Sequence, residues 1–332
     1  MKKIVLLYKK KNLITKHFRI FLPYISLLKL TNLMLSYIEF LMRREKLISS
    51  PTFIKIETSR ICNLKCPTCS HSKEGNELNE NVNYSLSLAD VKKLIEPFHK
   101  TLIFAALTLQ GEAFSNNELP LIIEYIHKKG IATSFPTNFC SKITDETFEK
   151  IILSGFDSIY ISLDGTTKET YSMYRIGGDF DLVLQNVKSL SDTKKRLNKK
   201  NPTIVLKFIV FPHNEHEIDY VTNNYSQLGF DSYYLVHDAY GNIDSYIQKR
   251  KAYKQEKIRK KKACLYLWTT IIVNWMGIVH PCTNQEHNLG NGLNENLKSI
   301  WNNENYRYLR RGFRKKNFEE NMDKFCHKCI RI

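Results

Sequence analysis

Long apolar runs free of charge are missing from this 332-residue chain. Its most apolar stretch, Ile20 to Met42, is interrupted by Lys29 and Glu39, so no uncharged run approaches the roughly 18 residues that mark a spanning helix. A secretory segment is missing too. The opening MKKIVLLYKKK has only five apolar residues before three lysines, too few for a secretory core. Net charge is scarce outside two patches: residues 1–50 hold eleven Lys/Arg against Glu39 and Glu45, a net +9, and the run 249–262 holds nine against Glu256, a net +8. These two patches make up the whole +17. A nucleic-acid channel needs basic and aromatic residues spread together through the core; the chain lacks that spread, so nucleic acid is not an expected partner. Residues 1–50 also lack the strand-rich pattern of a domain that recognises a leader peptide.

What is present is an ordinary globular composition, 42% hydrophobic and 25% charged, with room for one large domain or a large one and a smaller partner. Eight cysteines fall at Cys62, Cys66, Cys69, Cys140, Cys264, Cys282, Cys326 and Cys329. Their grouping, with no secretory segment ahead, points to metal ligation in a reducing, cytoplasmic compartment rather than to disulfides. Near the start, Lys29, Asn32, Ser36, Glu39 and Arg43 recur at helical spacing as a narrow polar stripe on an otherwise apolar helix. Such a helix is expected to bury its wide apolar face. The cover is either the rest of the protein or, helped by the basic flanks, a membrane surface or a partner, which would make residues 1–50 a peripheral contact on the cytoplasmic face of a membrane.

The chemistry centres on Cys62, Cys66 and Cys69, spaced C-x3-C-x2-C directly after the extended stretch Phe53–Glu57. Three thiolates on one short loop suit three corners of a four-iron cluster and leave one iron open to a small molecule. Zinc is the rival metal, but a closed zinc site wants four ligands and only His71 lies close by. Three cysteines also pair badly as disulfides.

After this loop, β-like runs alternate with helical segments. The expected strands are 53–57, 102–109, 131–135, 158–163, 203–211 and 231–236, and the expected helices 88–100, 118–129, 145–154, 180–196 and 215–228. Three of those helices stop at Gly130, Gly155 and Gly229. Strict alternation predicts an α/β fold with a parallel sheet and right-handed crossovers, either doubly wound or a partial barrel, with the chemistry at the C-terminal strand ends. Those ends carry Gln110-Gly111-Glu112-Ala113, Pro136-Thr137-Asn138 and Ser162-Leu163-Asp164-Gly165.

Together with the cysteine loop, these words resemble the radical S-adenosylmethionine superfamily over about residues 51–240. The resemblance implies a partial (β/α)6 TIM-like barrel at 51–248 in which Cys62, Cys66 and Cys69 ligate a 4Fe-4S cluster whose open iron is chelated by S-adenosylmethionine. Gly111 and Glu112 would hold the methionine amino group, and Ser162 and Arg175 the ribose or carboxylate. Asn138 matches a Thr-Asn-Gly turn in which Phe139 replaces the glycine, and Thr68 stands where an aromatic is frequent. The implied reaction is reductive cleavage to a 5'-deoxyadenosyl radical that takes a hydrogen atom from the substrate. A flavodoxin or ferredoxin would supply the electron.

Beyond the basic linker 249–263, Cys264, Cys282, Cys326 and Cys329 could form a tetrahedral zinc site or hold an auxiliary iron-sulfur cluster, and spacing alone leaves both open. The words Asn274–Cys282, Leu289-Gly290-Asn291 and Leu297–Asn302 resemble the SPASM/Twitch domain in its shortened form. That implies a second 4Fe-4S cluster within 264–332, which either accepts an electron or shapes the site. Cys140 stands outside both sets, either as a hydrogen donor in the mouth or as a buried residue with no role. The expected reaction is a two-electron oxidation or other modification of a small sugar-like or lipid-linked substrate. A peptide or protein substrate is the alternative, and a non-catalytic zinc-binding scaffold on a membrane surface is the reading of another class.

Overall fold

The computed structural model describes residues 20–67, 69, 71, 82–236, 264–283 and 287–314. After helix α1 (Leu27–Leu41) come β1 (Phe53–Ile56), α2 (Leu88–Ile95), β2 (Phe104–Ala106), α3 (Leu119–Lys128), β3 (Ala132–Thr137), α4 (Asp145–Leu153) and β4 (Ser158–Ser162). Next are α5 (Lys168–Ser172), α6 (Phe180–Arg196), β5 (Thr203–Ile209), α7 (Ile218–Asn224) and β6 (Ser232–Val236). The C-terminal part adds α8 (Tyr266–Thr269), β7 (Thr270–Val273), β8 (Val279–His280), α9 (Leu297–Trp301) and α10 (Glu304–Arg311).

One open sheet runs through the molecule in the order β6-β5-β4-β3-β2-β1-β7-β8. Strands β1 to β6 are all parallel and lie side by side in chain order; of the two folds the alternation allowed, this strand order is that of the partial TIM-like barrel implied by the resemblance. The sheet continues past β1. Strand β7 pairs parallel with β1 on its other edge, and β8 returns antiparallel, so the C-terminal hairpin belongs to the same sheet.

Local chemistry sets the boundaries. Helix α2 opens with a Ser87–Asp90 capping box, and Thr144 and Asp179 cap α4 and α6. Gly130 and Gly155 take positive φ just past α3 and α4, as their positions predicted; Gly229 also takes positive φ, but α7 ends earlier than expected, at Asn224, and a turn leads to the glycine. The short helix α5, between β4 and α6, was not expected.

Helix α1 departs from expectation. Its polar stripe faces the protein: Lys29, Asn32, Ser36 and Glu39 are buried, while Leu27, Leu30, Met34, Tyr37, Ile38 and Leu41 are exposed. The physical reason lies in what the stripe meets, a row of backbone groups ahead of the strands that have no other hydrogen-bond partner among the described residues. The Glu39 carboxylate accepts from the Ile48 amide at 2.7 Å, the Ser49 amide at 3.2 Å and the Ser49 hydroxyl at 2.5 Å. Asn32 both donates to the Ser50 carbonyl and accepts from its amide, each at 2.9 Å. Lys29 donates to the Gly130 carbonyl, and Tyr24, just ahead of the helix, donates to Asp157 at 2.7 Å. Since these anchors immediately precede β1, β3 and β4, α1 lies across the N-terminal end of the sheet.

The segment from α1 to β1 is also held from the other side. Trp268 and Trp301 donate their indole N–H groups to the carbonyls of Arg44 and Ser49, at 3.1 and 3.0 Å. Fully buried Arg310 sits 4.6 Å over the Trp301 ring and donates to the carbonyls of Leu267 and Glu45. Burial lowers its pKa to about 10.

Replacing Glu39 by alanine strips acceptors from two backbone amides and should lower stability by about 2–4 kcal/mol. Replacing exposed Met34 by alanine should change it by less than about 0.5 kcal/mol. Denaturant unfolding of both variants checks this inversion of the usual order, and equal losses would contradict it.

Candidate active site

The cysteine loop leaves β1 and is gripped by the loops that follow β2, β3 and β4. The Glu112 amide donates to the Ile61 carbonyl at 2.7 Å, the Asn63 side chain donates to the Cys140 carbonyl at 2.6 Å, and the Lys65 amide donates to the Ile176 carbonyl at 2.9 Å. Glycine at 111 is what permits the first contact: a Cβ there would overlap the Ser59 carbonyl and come within 2.7 Å of the Arg60 carbonyl carbon. Gln110 hydrogen-bonds Arg60. Arg60 in turn pairs with buried Glu57 at 3.5 Å.

Glu112 is 3% exposed and ties two strand ends together. It accepts from the Thr137 hydroxyl at 2.6 Å and from the Asn138 amide at 2.7 Å. Burial raises its pKa, and those hydrogen bonds act against the rise. Asn138 carries the contact on to the cysteines, its amide nitrogen lying 3.0 Å from Asn63 Oδ1 and 3.5 Å from Cys62 Sγ. Phe139 holds the left-handed backbone, φ 57°, that glycine would take in this turn. That costs about 1–2 kcal/mol, offset by burial of its ring between Phe114 and Phe148.

On the opposite side, Asp164 is fully buried and binds Arg175 through two contacts, 2.7 Å to Nε and 2.5 Å to Nη2. Its other oxygen accepts from the Ile209 amide at 2.7 Å. Arg175 Nη1 then reaches 3.7 Å from Cys66 Sγ. Burial works against its charge, but Asp164 and the Cys66 sulfur outweigh that and raise the guanidinium pKa. For the cysteines, burial dominates: Cys62 is pushed up to about 11, with Glu112, Cys66 and Cys69 adding to the rise, and Cys66 rises despite the nearby Arg175. Three mutually interacting thiols with N–H donors aimed at two of them fit a cluster, whose ligands bind separate irons.

Ser162 ends β4, buried, and stands opposite Lys207 in the β4–β5 register. Lys207 was not singled out from the sequence, although a lone lysine in the apolar run Thr203–Phe211 was the available signal. It makes no ion pair among the described residues. Burial and then the Arg175 charge lower its pKa, with Asp164 acting the other way. Asp164 and Glu57 were also missed as positioning groups. Glu57 joins β1 to the C-terminal hairpin, accepting from the Trp275 amide at 3.4 Å, and Trp275 packs 4.9 Å from the Tyr84 ring.

Cys140 is 5% exposed, and its sulfur accepts from the Asp179 amide at 2.9 Å, so it is tied to the start of α6. The hairpin brings Cys264, one helical turn ahead of β7, and Cys282, just past β8, to one end. Cys326, Cys329, Thr68 and the basic run 249–262 lie outside the described residues.

The model of the radical SAM superfamily matches residues 56–221, half of the chain, and that of SPASM, an iron-sulfur cluster-binding domain, matches 264–330. The chain belongs to the radical SAM superfamily. It is an enzyme whose cofactors are S-adenosylmethionine and a 4Fe-4S cluster, with further iron-sulfur ligation implied by the SPASM region. It is 26% identical over 148 residues to the mycofactocin maturase MftC of Mycolicibacterium smegmatis, covering 45% of this chain but only 36% of the maturase. It is 27% identical over 221 residues to a probable GTP 3',8-cyclase of Saccharolobus islandicus, covering 63% and 68%. In fold it resembles SuiB of Streptococcus suis bound to S-adenosylmethionine, with a TM-score of 0.59, 15% identity and coverage of 84% of this chain and 72% of SuiB.

Replacing Gly111 by alanine should part the β1 and β2 loops, so the variant should take up less iron on anaerobic reconstitution; full iron uptake would contradict the close approach. Replacing Asp164 by alanine leaves a buried guanidinium unpaired and should cost about 3–5 kcal/mol in denaturant unfolding, with asparagine costing less.

Proposed function

We propose that this enzyme modifies a peptide substrate at an unactivated carbon. In this reading Cys62, Cys66 and Cys69 hold the catalytic cluster, and Gly111, Glu112, Asn138, Ser162 and Arg175 line the S-adenosylmethionine site. When bound, the cluster and cofactor supply one-electron radical chemistry. The chain's own groups do the positioning: Asp164 fixes Arg175 beside Cys66, Glu112 fixes the Thr137–Asn138 turn, and Lys207, opposite Ser162, offers an amine to a polar group of the bound molecule. Cys264 and Cys282, with Cys326 and Cys329, would hold one further cluster, and a flavodoxin or ferredoxin would deliver the electron. The core 51–248 and the segment 264–332 then act as one unit across the β1–β7 pairing.

The observation that carries the peptide reading is the C-terminal hairpin joined to the sheet beside β1, with Trp275 at the rim. SuiB, whose structure bound to the precursor peptide SuiA matches at a TM-score of 0.60 over 90% of this chain, shares the fold and supports this reading. The maturase MftC points the same way. A small-molecule substrate is the second reading, favoured by the cyclase match over 63% of the chain.

The test is anaerobic turnover of reduced enzyme with S-adenosylmethionine, using peptides encoded beside its gene and, separately, a panel of carbohydrates and nucleotides. The expected result is a mass change on a peptide that is abolished in the Cys66→Ala enzyme. Conversion of a carbohydrate or nucleotide with every peptide untouched would overturn the peptide reading.

A further inference from the structure

The apolar face of α1 has no cover among the described residues. Leu27 is 79% exposed, Met34 58%, Leu41 57% and Met42 64%. Positions 27, 30, 34, 37, 38 and 41 follow the spacing of three and four that places side chains on one helix face. Scattered exposed apolar residues are ordinary, but a contiguous face of this kind marks an interaction site. The helix is not loosely attached, because its opposite face is fixed through Glu39, Asn32 and Lys29.

We infer that this face docks the enzyme on an anionic lipid surface, with α1 lying in the plane of the headgroups. Charge complementarity selects that occupant. Exposed Arg44 and Lys46 and half-buried Arg43 follow the helix, and Lys16 and Arg19 precede it in the chain. Of the two carboxylates of residues 1–50, Glu39 is buried and lies 4.0 Å from Arg44, and Glu45 is paired with Arg311 and Arg314, which leaves Arg43 and Lys46 after the helix without a carboxylate from this segment. An apolar face flanked by cations is the pattern that binds anionic bilayers. At 15 residues the helix spans about 22 Å, and no described helix is long and apolar enough to cross a membrane.

The geometry has a consequence for the site. Because α1 lies at the N-terminal end of the sheet, while the cysteine loop and Glu112, Asn138 and Ser162 lie at the C-terminal end, docking would turn the catalytic rim away from the bilayer. The substrate would then arrive from the aqueous side. This holds whichever substrate is modified.

The test uses the full-length holoenzyme in co-sedimentation with vesicles of phosphatidylcholine alone and with about one-third phosphatidylglycerol. Wild-type enzyme should bind only the anionic vesicles, and more weakly as salt rises. The M34E/I38E variant changes two exposed side chains, so it should keep its iron content and unfolding transition. Its partition should fall about a hundredfold. Unchanged binding by the variant would show that basic residues act without the apolar face and would overturn the proposal. So would absence of wild-type binding, including the case in which sedimentation instead shows a concentration-dependent dimer that the variant abolishes.

Discussion

Strand β1 is hydrogen-bonded along both edges, to β2 on one side and to β7 on the other. The rest of the arrangement depends on this constraint. A parallel strand with both edges occupied cannot shift register without breaking two ladders, so the cysteine loop that leaves its C-terminal end starts from a fixed point. The same strand joins the SPASM hairpin to the barrel, so the cysteine loop and the hairpin that carries Cys264 and Cys282 are referenced to one piece of backbone. Glu57, at the end of β1, extends the link by accepting from the amides of Gly111 and Trp275, at 3.4 Å each.

Around that fixed start, the site is positioned mainly by buried polar groups. Glu112 and Asp164 are both carboxylates removed from water, and each is compensated by donors from the neighbouring strand end. They differ in what they carry onward. Glu112 braces the turn that aims Asn138 at Cys62, whereas Asp164 holds a positive charge near Cys66. Thiols that burial alone would keep protonated thus face an amide donor on one side and a guanidinium on the other, and both favour thiolate character at the sulfur.

Much of this was legible in the chain. The six parallel strands, the glycine-terminated helices and the polar words at the strand ends all followed from spacing and turn chemistry. What was not legible was direction. Helical periodicity gives the phase of the α1 polar stripe but not which face meets the protein, and unpartnered amides at Ile48 and Ser49 reversed the usual choice. The edge pairing of β7 with β1 was hidden for a related reason, since a four-residue apolar run records burial but not its neighbour. Lys207 escaped notice because its value lies in what stands opposite, Ser162, and a register cannot be read from one strand.

The central claim is that Cys62, Cys66 and Cys69 hold a four-iron cluster with one iron open to S-adenosylmethionine. The most direct measurement is the electron paramagnetic resonance spectrum of anaerobically purified, reduced enzyme with and without S-adenosylmethionine, alongside iron and sulfide analysis. The account predicts about eight irons per chain, if the C-terminal cysteines hold one further cluster, and a signal that shifts when S-adenosylmethionine is added. Zinc without iron, or a signal indifferent to S-adenosylmethionine, would contradict it.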